Sequence, residues 1–378
     1  MNINNFIKLY DETQNMEFQK ICFDERNIFN SVIYADKKDI VKIKSESELC
    51  FNVDREHTNR SKYIFNDLCN GLTIPEFENI KFINNKISQN QNNWYEKTFP
   101  LSTILMHTYQ HRLIKKKFPN AKNILEIGPG SGYLSILLSR DKKNIFTTDI
   151  FQPHYIFQNF IYSICANLNE LVENKNFNLN DGAINHIPWW KFRKLKGDEF
   201  KIDLVVMNHM IVEMENNSLR KLLNFLSNAI VNNPPIICES LGYFKYNSPE
   251  YTFDTLKEFN YSVHFSGGHT KKTAKVYIFK KNLDTKKTKH KKLNKELFRF
   301  IPFGKVIHLV LSYSLQEFKN YFNKIYNYKK NKDLKNSVIF KEKNKINYDD
   351  LINYYNDNNF NLLSSDEEFH KKLYPKNK

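Results

Sequence analysis

The residues best placed to do chemistry are Glu126, Gly128, Gly130 and Gly132, at alternate positions in Glu126-Ile127-Gly128-Pro129-Gly130-Ser131-Gly132. Three glycines so spaced remove the side chains that would keep a ligand off the main chain, and they permit turns that a Cβ resists. The apolar run Ile124, Leu125, Ile127 before them reads as a buried parallel strand. Leu134, Leu137 and Leu138 after them mark one side of a helix, whose first N–H groups face the turn. The arrangement suits a polar ligand held against backbone, with a carboxylate beside it. A phosphate loop needs a Gly-Lys-Ser/Thr ending, which is absent. A dinucleotide fingerprint needs a third glycine where Tyr133 stands.

The pattern Glu126-x-Gly128-x-Gly130-x-Gly132 resembles the first motif of the class I S-adenosylmethionine-dependent methyltransferases. The resemblance implies that the turn passes under the methionine part of S-adenosylmethionine, with Glu126 helping to hold its amino group. Lys143 to Asp149 reads as a second strand ending in an acid, about twenty residues after the first glycine. A carboxylate there can accept from both hydroxyls of a ribose, although a helix cap is the plainer role. Asp181, in Asn180-Asp181-Gly182-Ala183, matches by order the acid that meets the adenine amino group in that family. An ordinary Asp-Gly turn accounts for it equally well. Lys201 to His209 reads as a fourth strand whose polar end, Asn208, lies beside the cofactor. Pro235 to Glu239 reads as the fifth, and Tyr261 to Phe265 with Lys275 to Phe279 as a closing antiparallel pair. The resemblance covers about residues 94–280 and implies a Rossmann-like α/β sheet of seven strands, mostly parallel with the last antiparallel, flanked by helices.

Methyl transfer from a sulfonium is an in-line displacement, so a hydroxyl acceptor needs alignment and a base. His209, at the end of the fourth strand, is suited to take that proton near neutral pH, and Glu213 stands one helical turn on to orient it. His186 and His269 are rival bases or substrate-binding residues. Trp189 and Trp190 offer faces for a sugar ring, yet such aromatics more often pack. The Asn/Asp-Pro-Pro-aromatic run of base-amino methyltransferases is missing after the fourth strand, as is a Pro-Cys nucleophile. His186-Ile187-Pro188-Trp189-Trp190, with Asn208-His209 and Glu213, resembles bacterial sugar O-methyltransferases. That likeness implies a carbohydrate acceptor, a glycan or its activated precursor. No paired acids follow the fourth strand, so no metal is expected. His107 and His111 lie four apart on a predicted helix, but no third ligand accompanies them, so they are expected as surface or interface histidines.

These residues need elements to position them. At 378 residues the chain has room for one large core with additions. The expected organisation is a mostly helical N-terminal cap over 1–93, the cofactor domain over 94–280, a basic linker over 281–296 and a helical extension over 297–378. The linker holds Lys281, Lys286, Lys287, Lys289, Lys291 and Lys292, and the extension opens with Phe298, Phe300, Ile301 and Phe303. A basic run followed by an apolar patch suits an anionic membrane surface, although packing on the protein's own core or on a partner subunit is the favoured reading. Five scattered cysteines without a close pair fit reduced thiols in a cytoplasm, and neither a leader nor a spanning segment is expected. A formal charge of +16 favours anionic partners and keeps an RNA or protein methyltransferase open as an alternative. A noncatalytic scaffold that only binds the cofactor is the third reading.

Overall fold

The computed structural model describes residues 2–19, 42–46, 60–68, 71–90, 101–172, 178–195, 201–208, 210–214, 216–230, 233–239, 249–267, 276–281 and 345–360. Two compact units divide the chain: residues 1–281 with 338–378, and residues 282–337, which lie wholly outside the described residues. The basic run beyond Lys281 and the apolar patch that opens the expected extension therefore lie outside them too.

In chain order the described elements are α1 (Ile3–Gln19), α2 (Arg60–Asp67), β1 (Leu72–Thr73), α3 (Ile74–Asn90), α4 (Leu101–Lys117), β2 (Asn123–Ile127), α5 (Tyr133–Arg140), β3 (Asn144–Thr148) and α6 (Gln152–Cys165). They continue with β4 (Leu168–Glu170), β5 (Ile184–His186), α7 (Trp189–Phe192), β6 (Leu204–Val206), α8 (Met210–Glu213), α9 (Asn216–Ala229) and β7 (Ile236–Glu239). The last are α10 (Pro249–Glu258), β8 (Tyr261–Gly267), β9 (Val276–Lys281), β10 (Lys345–Ile346) and α11 (Tyr348–Asp357).

The main sheet runs β4-β5-β3-β2-β6-β7-β9-β8, parallel except where β9 pairs antiparallel with β7 and β8. It is the expected α/β sheet with one correction: eight strands stand where seven are expected. The addition is Leu168–Glu170, parallel to β5 at the sheet's edge. Three residues with a single apolar member carry no readable alternation, so pairing rather than pattern makes it a strand.

Residues alternate across β2. Ile124 joins the core under α4, α5 and α6, while Leu125 and Ile127 join the core under α9. Both faces are thus buried, which is why the strands read as apolar runs. The chain begins the sheet at β2, winds outward through β3, and returns to the other side of β2 with β6. Order reverses between β2 and β6, and at such a switch point the loops beyond the strands' carboxyl ends part to leave a crevice.

Every residue of α4 from Leu101 to Ile114 is buried. A helix enclosed on all sides must find partners for each polar side chain it carries. Arg112 does so on Glu76, with Nε 2.8 Å from Oε1, and its Nη2 also donates to the Gly71 carbonyl at 3.0 Å. His111 meets Asp141 at 2.8 Å. The helix ends on Lys115, Lys116 and Lys117, favourable charges at its carboxyl end, shortly before Pro119.

Residues 345–360, within the stretch expected as a C-terminal extension, pack into the N-terminal helices. β10 pairs antiparallel with β1 so closely that a Cβ on Gly71 would lie 2.3 Å from the Ile346 carbonyl oxygen. α11 opens with a capping box in which Asn347 accepts from the Asp350 N–H and Asp350 from the Asn347 N–H. It buries Leu351 and Tyr355, and the Tyr355 hydroxyl accepts from Asn84 at 3.0 Å. No helix among the described residues is long and apolar enough to cross a membrane.

Replacing Tyr355 by Ala should cost about 3–5 kcal/mol, the usual loss for a buried aromatic. Tyr355→Phe should cost only about 1–3 kcal/mol, because the packing stays and the Asn84 amide loses its acceptor. Denaturant unfolding of both variants measures the difference, and equal values would deny α11 its place in the core.

Candidate functional site

Gly128, Gly130 and Gly132 all have positive φ, at 65°, 57° and 74°. The Gly132 N–H closes the turn on the Pro129 carbonyl at 2.9 Å, and Gly132 then caps α5 without a side-chain bond. The glycines serve different ends. A Cβ on Gly132 would lie 2.7 Å from the Tyr162 hydroxyl, so that position is closed by packing. A Cβ on Gly130 would meet nothing within 4 Å, so the turn faces open space there.

Glu126 is fully buried, and Ser135 on α5 donates to its Oε2. Its Oε1 has no hydrogen-bond partner. Burial pushes the carboxyl up to about 8; the Asp149 charge adds to this and the Ser135 bond opposes it. Asp149, just past β3, is 5% exposed. Its Oδ1 accepts from the Phe151 N–H at 2.9 Å and its Oδ2 from Gln158 at 2.8 Å. Burial raises its pKa, while the nearby His154 (3.8 Å) and these bonds hold it down. Ser131 Oγ and Thr148 Oγ1, beside them in the chain, are also buried without partners. Buried polar atoms are nearly always satisfied, so such a group of exceptions around one turn marks where a polar ligand belongs.

At the ends of β6 and β7 lies a second set. Asn208 donates through Nδ2 to Gln110 Oε1 at 2.7 Å, and Gln110 donates to Glu239 Oε2 at 2.5 Å. The order is forced, because a carboxylate only accepts: Gln110 must turn its N–H to Glu239, leaving its oxygen for Asn208. Asn208 Oδ1 is thereby directed away from Gln110, buried and without a partner. Gln110 and Glu239 were not singled out from the sequence. Glu239 carried a weak signal, an acid ending an apolar strand; a glutamine inside a helix carries none.

The structure brings Glu126, Gly128, Gly130, Gly132, Asp149 and Asn208 to the carboxyl ends of β2, β3 and β6. It does not bring Asp181 to them. Asp181 is exposed before β5 begins, where Asn144 at the start of β3 donates to it at 3.2 Å. That is the opposite end of the sheet, since β3 and β5 run parallel. The tip of β5 instead carries His186, wholly buried and stacked on Tyr155 at 3.7 Å. Trp189 and Trp190 are buried edge to face, with Trp190 against Tyr10 of α1. None of these three offers a surface to a sugar in this arrangement. His107 and His111 are buried rather than on a surface, and among the described residues no three His, Cys, Asp or Glu side chains gather around a metal position. His209 and His269 lie outside the described residues, as does the side chain of Glu213.

No protein-family model matches the chain, and no curated protein matches it. Similar solved structures include the magnesium protoporphyrin IX methyltransferase of Synechocystis with bound SAM, 13% identical, covering 59% of this chain and 97% of that one with a TM-score of 0.35. A ribosomal protein L11 methylase from Lactobacillus delbrueckii is 14% identical, covering 46% of this chain and 78% of that one with a TM-score of 0.32. A TehB-like SAM-dependent methyltransferase from Corynebacterium glutamicum is 12% identical, covering 56% and 100% with a TM-score of 0.34. The α/β fold assignment rests on this chain's own strand order and crossovers.

Gly130→Leu should fold, because nothing obstructs its side chain and the left-handed backbone costs about 1–2 kcal/mol for a residue not branched at Cβ. The branched side chain fills the space above the turn, so affinity for S-adenosylmethionine, the ligand that the sequence resemblance implies, should fall by about a hundredfold or more, some 2.7 kcal/mol. Calorimetry showing undiminished affinity would remove the turn from the binding site.

Glu126 supplies a pH test. With its carboxyl raised to about 8, it is mostly protonated at pH 7 in the free protein. An ammonium against Oε1 favours the carboxylate and lowers that pKa, so binding must release up to one proton. Affinity should therefore rise as pH climbs from 6 toward 8. Calorimetry at pH 7 in buffers of different ionisation enthalpy should detect the release in the wild type and not in Glu126→Gln.

Proposed function

We propose that the chain is an S-adenosylmethionine-dependent O-methyltransferase acting on a sugar hydroxyl, in a glycan or its activated precursor. The observation that supports the cofactor most is the glycine turn. It is open above Gly130 and flanked by a buried carboxylate oxygen on Glu126 that has no partner, with Asp149 at the next strand tip. An ammonium suits the first acid and a vicinal diol the second. When bound, S-adenosylmethionine supplies a methyl group on a sulfonium, open to displacement in line.

The protein's own part is positioning and proton removal. Gly130 leaves room for close approach to the main chain, and Glu126 and Asp149 set the orientation. Asn208 Oδ1, directed by the Gln110–Glu239 chain, is a ready acceptor for an O–H or N–H at the tip of β6. In this reading it lies beside the cofactor and the incoming acceptor. His209, the next residue, is assigned the base that takes the hydroxyl proton, with Glu213 orienting the ring. The sugar is supported by the sequence likeness alone. An RNA or protein acceptor is the second reading, favoured by the charge of +16.

Labelled methyl transfer to fractionated cell extract, followed by identification of the product, tests the acceptor class. RNA binding that weakens steeply with salt would move the assignment to the second reading. His209→Ala should lower kcat by about a hundred- to ten-thousandfold, the usual worth of a general base, with cofactor affinity nearly intact. Glu213→Gln should do less. Near-normal turnover in His209→Ala would hand the base role to another group.

A further inference from the structure

Gln158 of α6 is wholly buried and its amide nitrogen makes two bonds, to the Gly130 carbonyl at 2.7 Å and to Asp149 Oδ2 at 2.8 Å. Both partners can only accept. The glycine turn after β2 and the acid after β3 are thus joined through the two hydrogens of one –NH2 group. On the far side, Gln158 Oε1 lies 3.2 Å from His186 Nε2. His186 Nδ1 lies 3.3 Å from Asn159 Oδ1, and its ring is stacked on Tyr155 with Tyr162 edge-on at 5.2 Å.

We propose that Gln158 and His186 are a positioning pair for the cofactor: Gln158 sets the spacing between the glycine turn and the ribose-binding carboxylate, and His186 fixes which way its amide points. The proposal rests on the S-adenosylmethionine reading above. The donor order admits one solution. The acceptors at Gly130 and Asp149 claim the Gln158 nitrogen, so Gln158 presents oxygen to the imidazole, and His186 must carry its proton on Nε2. Burial holds the ring neutral, with its pKa well below the ordinary value, so Nδ1 is left to accept. The Asn159 amide, whose oxygen and nitrogen exchange places by a flip, can supply that donor.

A reversed Gln158 amide would set its oxygen against both the Gly130 carbonyl and the Asp149 carboxylate. That repulsion would push apart the two elements a bound adenosyl group must bridge. His186 adds to the bias against reversal, because turning the amide would forfeit the Nε2–H bond to the Gln158 oxygen unless the ring also changed tautomer. The same bonds explain why a histidine at a strand tip is unavailable as a base: both ring nitrogens are engaged and the ring is sealed between aromatics. A leucine at either position would fill volume but leave the amide, or the acceptors, undirected.

Nitrogen-15 NMR of imidazole-labelled protein without ligand should show His186 neutral at pH 7 with its proton on Nε2. A proton on Nδ1, or an imidazolium, overturns the network. Calorimetry with S-adenosylhomocysteine then reads its consequence. Gln158→Met, similar in length but without donors, should weaken binding about tenfold or more. His186→Gln places an amide N–H about where Nε2–H lies and should bind within about threefold of the wild type. His186→Phe keeps the ring without the donor and should lose about tenfold. Equal affinities for His186→Gln and His186→Phe overturn the positioning role, and that comparison stands even where Gln158→Met does not fold. A wild type that binds no S-adenosylhomocysteine refutes the cofactor reading. A wild type that binds while Gln158→Met binds equally well refutes the positioning role alone.

Discussion

A carboxylate can accept hydrogen bonds but never donate them, and among the described residues three acids are buried at the carboxyl ends of the parallel strands. Glu126, Asp149 and Glu239 are each 5% exposed or less. An anion removed from water is costly unless donors surround it, so each must be met by O–H or N–H groups or take up a proton. Glu126 receives one donor and is pushed up to about 8; Asp149 receives more, and its pKa is still raised by burial, against the opposition of those bonds and of His154. Each carboxylate dictates the orientation of the amide or hydroxyl against it, and through that the orientation of the next group along.

Those donors come from helices, so the helices' own anchorage matters to the site. Gln110 reaches Glu239 because α4 is enclosed, and α4 is held by Arg112 on Glu76 and by the Leu68 and Gly71 carbonyls. Gly71 in turn lies under the Ile346 backbone. Residues 345–360 thus bear on a glutamine at the tip of β7 by contacts that are each local and short. Gln158 reaches Asp149 from α6, whose first turn carries Pro153 and whose Gln152 exchanges hydrogen bonds with the backbone of Ile43.

The glycine turn shows how one motif meets two demands. Gly132 is needed because Tyr162 comes close, which is a matter of packing. Gly130 has space above it and is needed for its left-handed backbone and for whatever lies over it. Substitutions at the two positions accordingly differ in kind, one felt by the fold and the other by the ligand.

The sequence by itself determined the strands β2, β3, β6 and β7, the turn between β2 and α5, and the acids at the ends of β2 and β3. Each is written locally, as an apolar run, a glycine spacing or a charge just past a strand, and a strand buried on both faces leaves little freedom to place them elsewhere. It did not determine on which side of a strand Asp181 would fall. An Asp-Gly turn reads the same before β5 as after the strand preceding it, and the short edge strand β4 comes before Asp181 in the chain. Nor could it show that His186 is sealed, that Gln110 meets Glu239 across 129 residues, or that residues 345–360 return to β1. Those facts depend on which buried donor finds which buried acceptor. Such pairing has no period and no spacing along the chain, and only the packed tertiary structure decides it.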